Sequence, residues 1–427
     1  MTAIHRQFVL SFAVMGAVLA YLPLFLRSRL ADNTQVGLVL GTTGVAIILT
    51  PVVMTALADT RFQSRTLMAW CFGLSAGACG LLLAGHTLAS LLVIHLLFCF
   101  AFWPQPAMQD GLLFAINRQR EATGDPALPY HHVRVFGTLG FILPLIALYF
   151  LLDAGHAVDI VLIVGAALAV LGLANALTLP HIPLAETRQN KNSRRPTDAG
   201  LGATKHADRP ASVGRRLDTP TLPHPTRAAA GLLFRGPAMV FCVAMFLAHL
   251  ANAAYYSYYP IYLEETVGFA EQWIGPVTMI GVVLELPVML GVGWMTRKLG
   301  LKGLLLLGLA LMVLRLALLG FMPTPGVAVG TQLLHGMTVV AMYVIAPIYL
   351  NTLVDRYNEG HPSGVGGDRF RNSMQGLFAM AVFGPARILG PIAAGAVADL
   401  SMVGMFYVSA GLTGVATVML VVGFRTR

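Results

Sequence analysis

Residues 303–321 read GLLLLGLALMVLRLALLGF, an apolar run interrupted by one charge at Arg315. A helix needs about 20 mostly apolar residues to cross the roughly 30 Å apolar layer of a membrane. The whole chain has this character, since 56% of its 427 residues are hydrophobic and 11% are charged, whereas soluble proteins carry about 25% charged residues. The sequence therefore predicts an integral membrane protein and excludes an ordinary soluble domain.

Twelve runs of this kind form two groups of six. The first group covers residues 8–26, 36–57, 67–84, 88–115, 133–152 and 158–179, and the second covers 238–262, 273–294, 303–321, 326–353, 372–398 and 402–424. Between the groups lies a stretch rich in Pro, Arg, Lys, Asp and Thr, a composition typical of a flexible linker. We therefore predict an all-α membrane protein of 12 transmembrane helices, with six-helix bundles in residues 1–182 and 233–427 and a cytoplasmic linker in residues 183–232.

The positions of the basic residues predict the orientation. Most of the 28 Lys and Arg residues fall in the linker, at the two ends and in alternate loops, which is the distribution of cytoplasmic segments. Both termini are therefore predicted to be cytoplasmic. The net charge of +9 is then a topology signal, and we predict no nucleic-acid partner because the basic residues form no face on a soluble domain.

Metal and cofactor chemistry is not predicted. The four cysteines lie inside apolar runs at spacings that fit no metal or disulfide framework, and buried cysteines usually act as small hydrophobic residues. The adjacent His131 and His132 have no further cluster of ligands beside them. The sequence also contains no phosphate-binding loop or ATPase module, so an ion gradient is the expected driving force.

A short basic turn recurs in both groups of helices. Residues 58–61 read ADTR, with Arg65 beyond them, after the second run, and residues 293–302 read GWMTRKLGLK after the eighth. This recurrence predicts a duplicated six-helix unit. Such repeats place the substrate site at their interface, near the middle of the membrane.

Four stretches of the chain carry a family resemblance. The first is MG at residues 15–16 followed by YLPLFL at 21–26, and the second is YHHVRVFGTLGF at residues 130–141. The others are His249 with the tyrosines of residues 255–263, and Arg315 with His335. Together with the basic turns, they resemble the major facilitator superfamily. The similarity is to the branch of the phenylpropionate permease, the nucleoside–proton symporters and the lactose permease. Two departures are Thr55 at the usual glycine of the first basic turn and Thr338 where the lactose permease has its proton-carrying glutamate.

The resemblance implies a non-enzymatic transporter that works by alternating access. It implies a multi-pass protein of the bacterial inner membrane whose partners are a small solute, a proton and the lipid bilayer. In this family the first basic turn latches the two halves together, which assigns gating to Asp59, Arg61 and Arg65. We expect a complete transport path in each chain, and therefore a functional monomer.

Charged side chains inside a membrane are costly and suggest function. A rise of about 1.5 Å per residue places Glu285, Arg315 and His335 in one layer of the second half, with Arg387 nearby. Asp110 and Arg134 lie close to each other in the first half, either as a static ion pair or as a pair that breaks during transport. Burial favours the neutral form of a carboxyl group, which suits proton pick-up. The predicted proton-coupling residues are Asp110, Glu285, Arg134, Arg315 and His335.

The count of intramembrane charges suggests an anionic solute. Two acids face three arginines, and an unpaired buried charge is unfavourable, so a substrate carboxylate is one way to neutralise the surplus. The alternative is that Arg387 contacts backbone carbonyls or a water-filled cavity.

Helix seven carries a cluster of tyrosines that either line the cavity or form an aromatic belt at the membrane surface. His249 and Asn252 lie deeper on the same helix and are candidates for hydrogen bonds to a solute, although His249 could equally serve helix packing. The predicted substrate-binding residues are His249, Asn252, Tyr255, Tyr256, Tyr259, Trp103 and Arg387. Gly137 and Gly140 permit close helix approach and are assigned to gating.

These observations predict a secondary transporter, with proton-coupled symport of an aromatic or other organic acid as the first hypothesis. The alternative is a proton-coupled sugar, oligosaccharide or nucleoside symporter. A membrane-embedded enzyme or a receptor is a third possibility. The sequence contains no catalytic motif that would support an enzyme and no large soluble domain that would support a receptor.

Overall fold

The computed structural model describes residues 2–60, 62–180, 225–360 and 367–423. Ten helical stretches are long and apolar enough to cross a membrane, and Ile160–Ala176 is a shorter apolar helix. The longest stretch, Glu271–Phe321, reverses at Gly300, where φ is 69°. Glycine adopts this left-handed conformation without steric penalty, so the stretch contains two helices. The described residues therefore form the twelve transmembrane helices that the sequence predicts.

We number these helices α1 to α12 in chain order. The first half contains α1 (Ala3–Leu19 and Leu22–Arg29), α2 (Asn33–Thr60), α3 (Ser64–Leu83), α4 (Leu88–Phe102 and Gln105–Thr123), α5 (Tyr130–Asp153) and α6 (Ile160–Ala176). The second half contains α7 (Gly236–Ile261), α8 (274–299), α9 (301–321), α10 (Pro325–Gly330 through Ala346–Gly360), α11 (Gly367–Phe378 through Gly384–Leu400) and α12 (Met402–Gly423).

Local sequence explains the interruptions. The second part of α1 has Pro23 in its first turn, and Pro104 lies between the two parts of α4. Proline has no backbone N–H, so at these positions it cannot donate a hydrogen bond to the preceding turn of helix. Three π-helical turns, at Tyr262–Thr266, Ala341–Ile345 and Ala379–Phe383, follow or interrupt α7, α10 and α11. Such turns are frequent at functional sites.

One part of the predicted linker is helical. Residues 183–224 lie outside the described part of the chain, whereas Pro225–Leu233 forms a short helix that packs against Gly367–Phe378. Its Ala229 and Leu233 are fully buried. The composition of the whole linker concealed this apolar end, which forms a helix within the last part of the predicted linker.

Small residues bring helices close together inside each half. A Cβ atom on Gly16 would collide with the backbone of Phe141, and one on Gly140 would collide with the backbone of Val9, so α1 and α5 are in direct backbone contact. In the second half, Gly390 of α11 has the same relation to Leu250 of α7. Close backbone approach at small residues is the usual packing mode of membrane helices.

The two halves meet mainly along α2 and α11. Three glycines of α2 lie directly against backbone oxygens of α11. A Cβ atom would collide with the oxygen of Pro391 if placed on Gly37, with that of Ile388 if placed on Gly41, and with that of Gly384 if placed on Gly44. We call the side where α1 ends and α2 begins the sealed face, and the opposite side, where α1 begins and α12 ends, the terminal face. The glycine contacts run from the sealed face toward the middle of the molecule.

Asp399, near the end of α11, caps the start of α2 across the interface. Its carboxylate accepts hydrogen bonds from the backbone N–H groups of Asn33 and Thr34, at 2.6 and 3.0 Å, and from the Thr34 hydroxyl at 2.6 Å. The free N–H groups and positive end of a helix dipole favour a carboxylate at this position. Tyr258 adds a second link, because its hydroxyl hydrogen-bonds to the carbonyl oxygens of Asn33 and Pro391. The seal thus depends on a helix cap that one half provides for the other.

Replacing Asp399 by Ala is expected to open the sealed face. Hydrogen bonds to a charged group contribute about 1.5–3 kcal/mol when well made, and a change of about 1.4 kcal/mol alters a two-state ratio tenfold. Because Asp399 is exposed, we expect the lower end of this range, a roughly tenfold shift toward the open form. Distances between spin labels at Ala31 and Ala270, which are exposed on opposite halves, measure the ratio.

Asp32 provides the control for this experiment. It caps α2 from within its own half, through the Gln35 N–H at 2.7 Å. Asp32→Ala should therefore weaken the helix start without moving the labels apart. An unchanged distance distribution in Asp399→Ala would show that the cap does not hold the halves together.

Candidate functional site

A cavity of about 540 Å³ lies between the two halves. Its size is within the range of about 300–1,000 Å³ typical of small-molecule sites. The polar lining includes Arg134, Thr138, Glu285, Gln332, His335 and Arg387, and the aromatic lining includes Phe12, Trp103, Phe141, Tyr255, Tyr256, Tyr343 and Phe383. The cavity therefore offers both ring faces and hydrogen-bonding groups to a solute.

Arg315 of α9 is the centre of a buried network in the second half. The side chain is 3% exposed, and one terminal nitrogen, Nη1, donates to His335 Nδ1 at 2.8 Å. The other, Nη2, donates to Gln332 Oε1 at 2.8 Å and to the Tyr255 hydroxyl. The guanidinium also lies 4.1 Å from the centre of the Tyr255 ring, a cation–π contact. Both terminal nitrogens are thus engaged by the protein.

The hydrogen bonds of His335 determine its protonation. Arginine has donors and no acceptor, so His335 Nδ1 must accept and is unprotonated. A neutral ring then carries its proton on Nε2, which donates to Glu285 Oε1 at 3.0 Å. The Tyr256 hydroxyl lies 3.4 Å from the same nitrogen. The structure therefore brings together Glu285, Arg315 and His335, which the sequence placed in one layer, as a hydrogen-bonded chain that ends at the cavity.

Arg387 of α11 lies beside this chain on the cavity wall. Its guanidinium is 5.5 Å from the ring centre of Tyr256 and 5.3 Å from that of Phe383. It donates to the Tyr343 hydroxyl at 3.2 Å, and the same hydroxyl accepts from Asn252 Nδ2 at 2.9 Å. Tyr343 and Phe383 both lie in π-helical turns, which position them against Arg387.

His249 is buried behind this wall. It is 2% exposed, and among the residues that the structure describes neither ring nitrogen has a hydrogen-bond partner. Its ring contacts those of Tyr343 and Phe383, with centres 5.4 and 5.1 Å apart. His249 is therefore one residue away from the cavity rather than on its surface.

The tyrosines of α7 are buried inside the protein rather than arranged as a surface belt. Tyr255, Tyr256 and Tyr259 line the cavity, and Tyr259 also donates to the Ala328 carbonyl at 2.9 Å. Tyr258 belongs to the sealed face, and Tyr262 donates to the Leu319 carbonyl at 2.7 Å. An aromatic belt requires exposure to lipid and headgroups, so the structure favours the cavity interpretation for the first three.

The first half contributes Arg134, which lies on an aromatic face. Its guanidinium is 4.2 Å from the centre of the Phe12 ring, and a Cβ atom on Gly137 would be 2.7 Å from its Nη1 atom. Gly137 therefore leaves room for this guanidinium. Arg134 does not form an ion pair within 4.0 Å of Asp110. Instead, Asp110 interacts with Arg134 only through longer-range electrostatics.

Of the other first-half candidates, one lines the cavity and two make contacts within the first half. Trp103 lines the cavity, and its ring contacts Phe102 edge to face. Gly140 contacts α1 within one half, so it packs a helix pair instead of bridging the halves. Arg65 donates to the Leu179 carbonyl at 3.4 Å, also within one half. The side chain of Asp59 and all of Arg61 lie outside the part of the chain that the structure describes.

Sequence reasoning missed several polar residues of this region. Gln332 is three residues before His335 and so lies on the same helical face, a spacing that could have identified it. His95 of α4 lines the cavity and hydrogen-bonds to the Val39 carbonyl at 2.8 Å; as a histidine inside an apolar run it was also visible in the sequence. Asp399 ends the residues AVAD at 396–399, which match ALAD at 56–59 at the end of α2.

Comparison with known proteins gives a consistent family. The model of the MFS_1 like family matches residues 2–408. The nucleoside permease NupG of Escherichia coli is 24% identical over 417 residues, covering 96% of this chain and 90% of the permease. The xanthosine permease of Escherichia coli is 28% identical over 180 residues, 42% of each chain. The crystal structure of the nucleoside transporter NupG superposes with a TM-score of 0.76 at 20% identity, covering 100% of this chain and 99% of that one.

The match extends over nearly the whole chain and agrees with the observed helices and the cavity between the halves. The chain therefore belongs to the MFS_1 like family of membrane transporters.

Proposed function

We propose that this transporter is a proton-coupled symporter of nucleosides in a bacterial inner membrane. The observation that carries the proposal is the position of Glu285, which lines the solute cavity and accepts a hydrogen bond from His335. A carboxylate in this position links the solute site to a group that can take up a proton. Two relatives that are permeases for a nucleoside and for xanthosine favour a nucleoside over the organic acid of the first sequence hypothesis.

The cavity suits the two chemical parts of a nucleoside. A planar base stacks on aromatic side chains, which Phe141, Tyr256 and Trp103 provide. Ribose hydroxyls need donors and acceptors, which Gln332, Glu285 and Thr138 provide. Arg134, Thr138 and Phe141 follow one another at spacings of four and three residues, so they lie on one face of α5. Asn252 and His249 lie behind Tyr343 in the cavity wall, so we propose that they act on the solute through that side chain.

The structure also removes one reason for the organic-acid hypothesis. Arg315 is one of the three intramembrane arginines whose surplus charge suggested a substrate carboxylate. It is buried, and both terminal nitrogens already hydrogen-bond to protein groups. A solute would have to break this network to reach it, and leaving a buried polar group unpaired costs about 1–3 kcal/mol.

In the proposed proton step, Glu285 is the acceptor. His335 cannot take a proton at Nδ1 without losing the bond from Arg315, because both groups would then be donors. Protonating Glu285 removes the charge that His335 Nε2–H stabilises, and Arg315 then holds the ring in place. Asp110, which has one buried oxygen with no hydrogen-bond partner in the described part of the chain, is a second proton site in the first half.

The orientation and the gating contacts are part of the same proposal. Basic residues at the terminal face include Arg118, Arg120, Arg297, Lys298, Lys302 and Arg371, so we assign this face to the cytoplasm. The sealed face is then external, and the Asp399 cap closes the path on that side in this structure. Asp59, Arg61 and Arg65 would close the terminal face in the outward-facing state, and residues 183–224 would connect two bundles that move against each other. One chain supplies the whole path, as expected for a functional monomer.

Uptake of nucleosides into proteoliposomes tests the proposal. With the inside alkaline, the protein should accumulate labelled uridine, adenosine or inosine above the external concentration, and a protonophore should abolish the accumulation. Lactose and phenylpropionate serve as comparison solutes. Accumulation of either of these without any nucleoside would contradict the proposed substrate class.

A further inference from the structure

We propose that the preferred solute carries a negative charge that Arg387 receives. Among nucleosides, this means one whose base is ionised near neutral pH. The inference rests on the proposed function and narrows its substrate class.

The arrangement of charges identifies Arg387 as the surplus cation of the membrane interior. Arg315 is connected to the carboxylate of Glu285 through His335. Arg134 interacts with Asp110 at longer range. In the described ranges, no carboxylate lies within 4.0 Å of Arg387. Three arginines and two acids thus leave one positive charge on the cavity wall.

The surroundings of Arg387 hold the guanidinium in place without neutralising it. Its two aromatic neighbours, Tyr256 and Phe383, stabilise a cation through their ring faces. Its hydrogen bond goes to the Tyr343 hydroxyl, which Asn252 also approaches as a donor. A guanidinium has five N–H donors, and within the described part of the chain one is used. The remaining donors are available to a solute in the cavity that Arg387 lines.

A planar anion fits this position better than a neutral base. Arginine binds planar anionic groups through paired N–H donors and stacks on aromatic faces. A 2,6-dioxopurine nucleoside such as xanthosine loses a ring proton near neutral pH, and the negative charge is shared with its ring oxygens. Inosine has the same ribose and ring system but lacks the second oxygen and stays neutral. The pair therefore differs in the feature that Arg387 is proposed to detect.

Equilibrium binding to the purified full chain tests the inference with these two nucleosides as probes. At pH 7.5 xanthosine should bind at least tenfold more tightly than inosine. The preference should shrink toward equality at pH 5, where the xanthosine base is neutral. The ratio of the two affinities is used because it cancels those effects of transporter titration that are common to both ligands.

Substitutions at Arg387 assign the preference to this side chain. Arg387→Gln should bring the ratio of the two affinities close to one, whatever it does to the binding of inosine itself, and Arg387→Lys should retain part of the preference because it keeps the charge. Equal binding of the two probes by the unmodified protein, or a preference that survives in Arg387→Gln, overturns the inference and leaves nucleoside transport intact. If neither probe binds and no other nucleoside is transported, the proposed function fails and the inference fails with it.

Discussion

Glu285→Gln is expected to reduce proton-driven nucleoside accumulation at least tenfold while exchange of nucleoside across the membrane continues. Glutamine keeps an oxygen that accepts the hydrogen bond from His335 Nε2, 3.0 Å from the carboxylate in the native protein, so the network should persist. It cannot take up a proton, however, and the coupling step is lost. Accumulation in a pH gradient and counterflow without a gradient, measured on the same proteoliposomes, separate these two activities.

Glu359→Gln is the matched control, since Glu359 is an exposed glutamate near the end of α10 and should have no part in coupling. Its accumulation and counterflow should equal those of the unmodified protein. Full accumulation by Glu285→Gln would remove Glu285 from the proton path and leave Asp110 as the site to test with Asp110→Asn.

Gly37→Ala and Gly44→Ala are expected to displace the protein from the sealed state and to reduce transport more than tenfold. The added methyl group would collide with backbone oxygens of Pro391 and Gly384 on the other half. Overpacking costs about 1–3 kcal/mol, but separation of the halves relieves it. The penalty therefore acts on the conformational equilibrium and not on the fold of either half. Spin-label distances between Ala31 and Ala270 should lengthen.

Two glycine controls distinguish this effect from misfolding. A Cβ atom on Gly77 meets nothing within 4 Å, so Gly77→Ala should behave as the native protein. Gly140 contacts the backbone of Val9 within one half, so Gly140→Ala should lower thermal stability and yield without favouring either state. If Gly37→Ala and Gly140→Ala gave the same combination of effects, the α2–α11 contact would not be a movable interface.

Apolar runs and the recurring basic turn were sufficient to predict the twelve helices, because lipid imposes the length and composition of each span. They could not show the break at Gly300 or the helix Pro225–Leu233, which depend on one backbone angle and on burial of Ala229 and Leu233 against another segment. A predicted linker is inferred from average composition, and a short apolar end is hidden in that average.

The site was partly predictable for the same reason. Intramembrane charges are rare, so Glu285, Arg315 and His335 stood out, and simple helix rise placed them in a common layer. Their hydrogen-bond directions were not predictable, because these depend on side-chain positions. The separation of Asp110 from Arg134 was also hidden, since the guanidinium lies on the Phe12 ring, and aromatic alternatives to an ion pair do not appear in a count of charges.

The role of Asp399 required knowledge of which helices meet. A carboxylate at the end of α11 has no evident partner in its own sequence neighbourhood, and its hydrogen bonds go to residues more than 360 positions away. The match between residues 56–59 and 396–399 suggests that the two helices end alike. The structure shows the consequence for Asp399, at the sealed face.

The measurement that tests the central claim most directly is solute-induced proton movement in proteoliposomes without any imposed gradient. When a transported nucleoside is added outside, the interior of vesicles that contain a trapped pH indicator should become more acidic, and the signal should disappear in Glu285→Gln. Nucleoside entry with no change in internal pH would show that transport is not coupled to protons and would contradict the account.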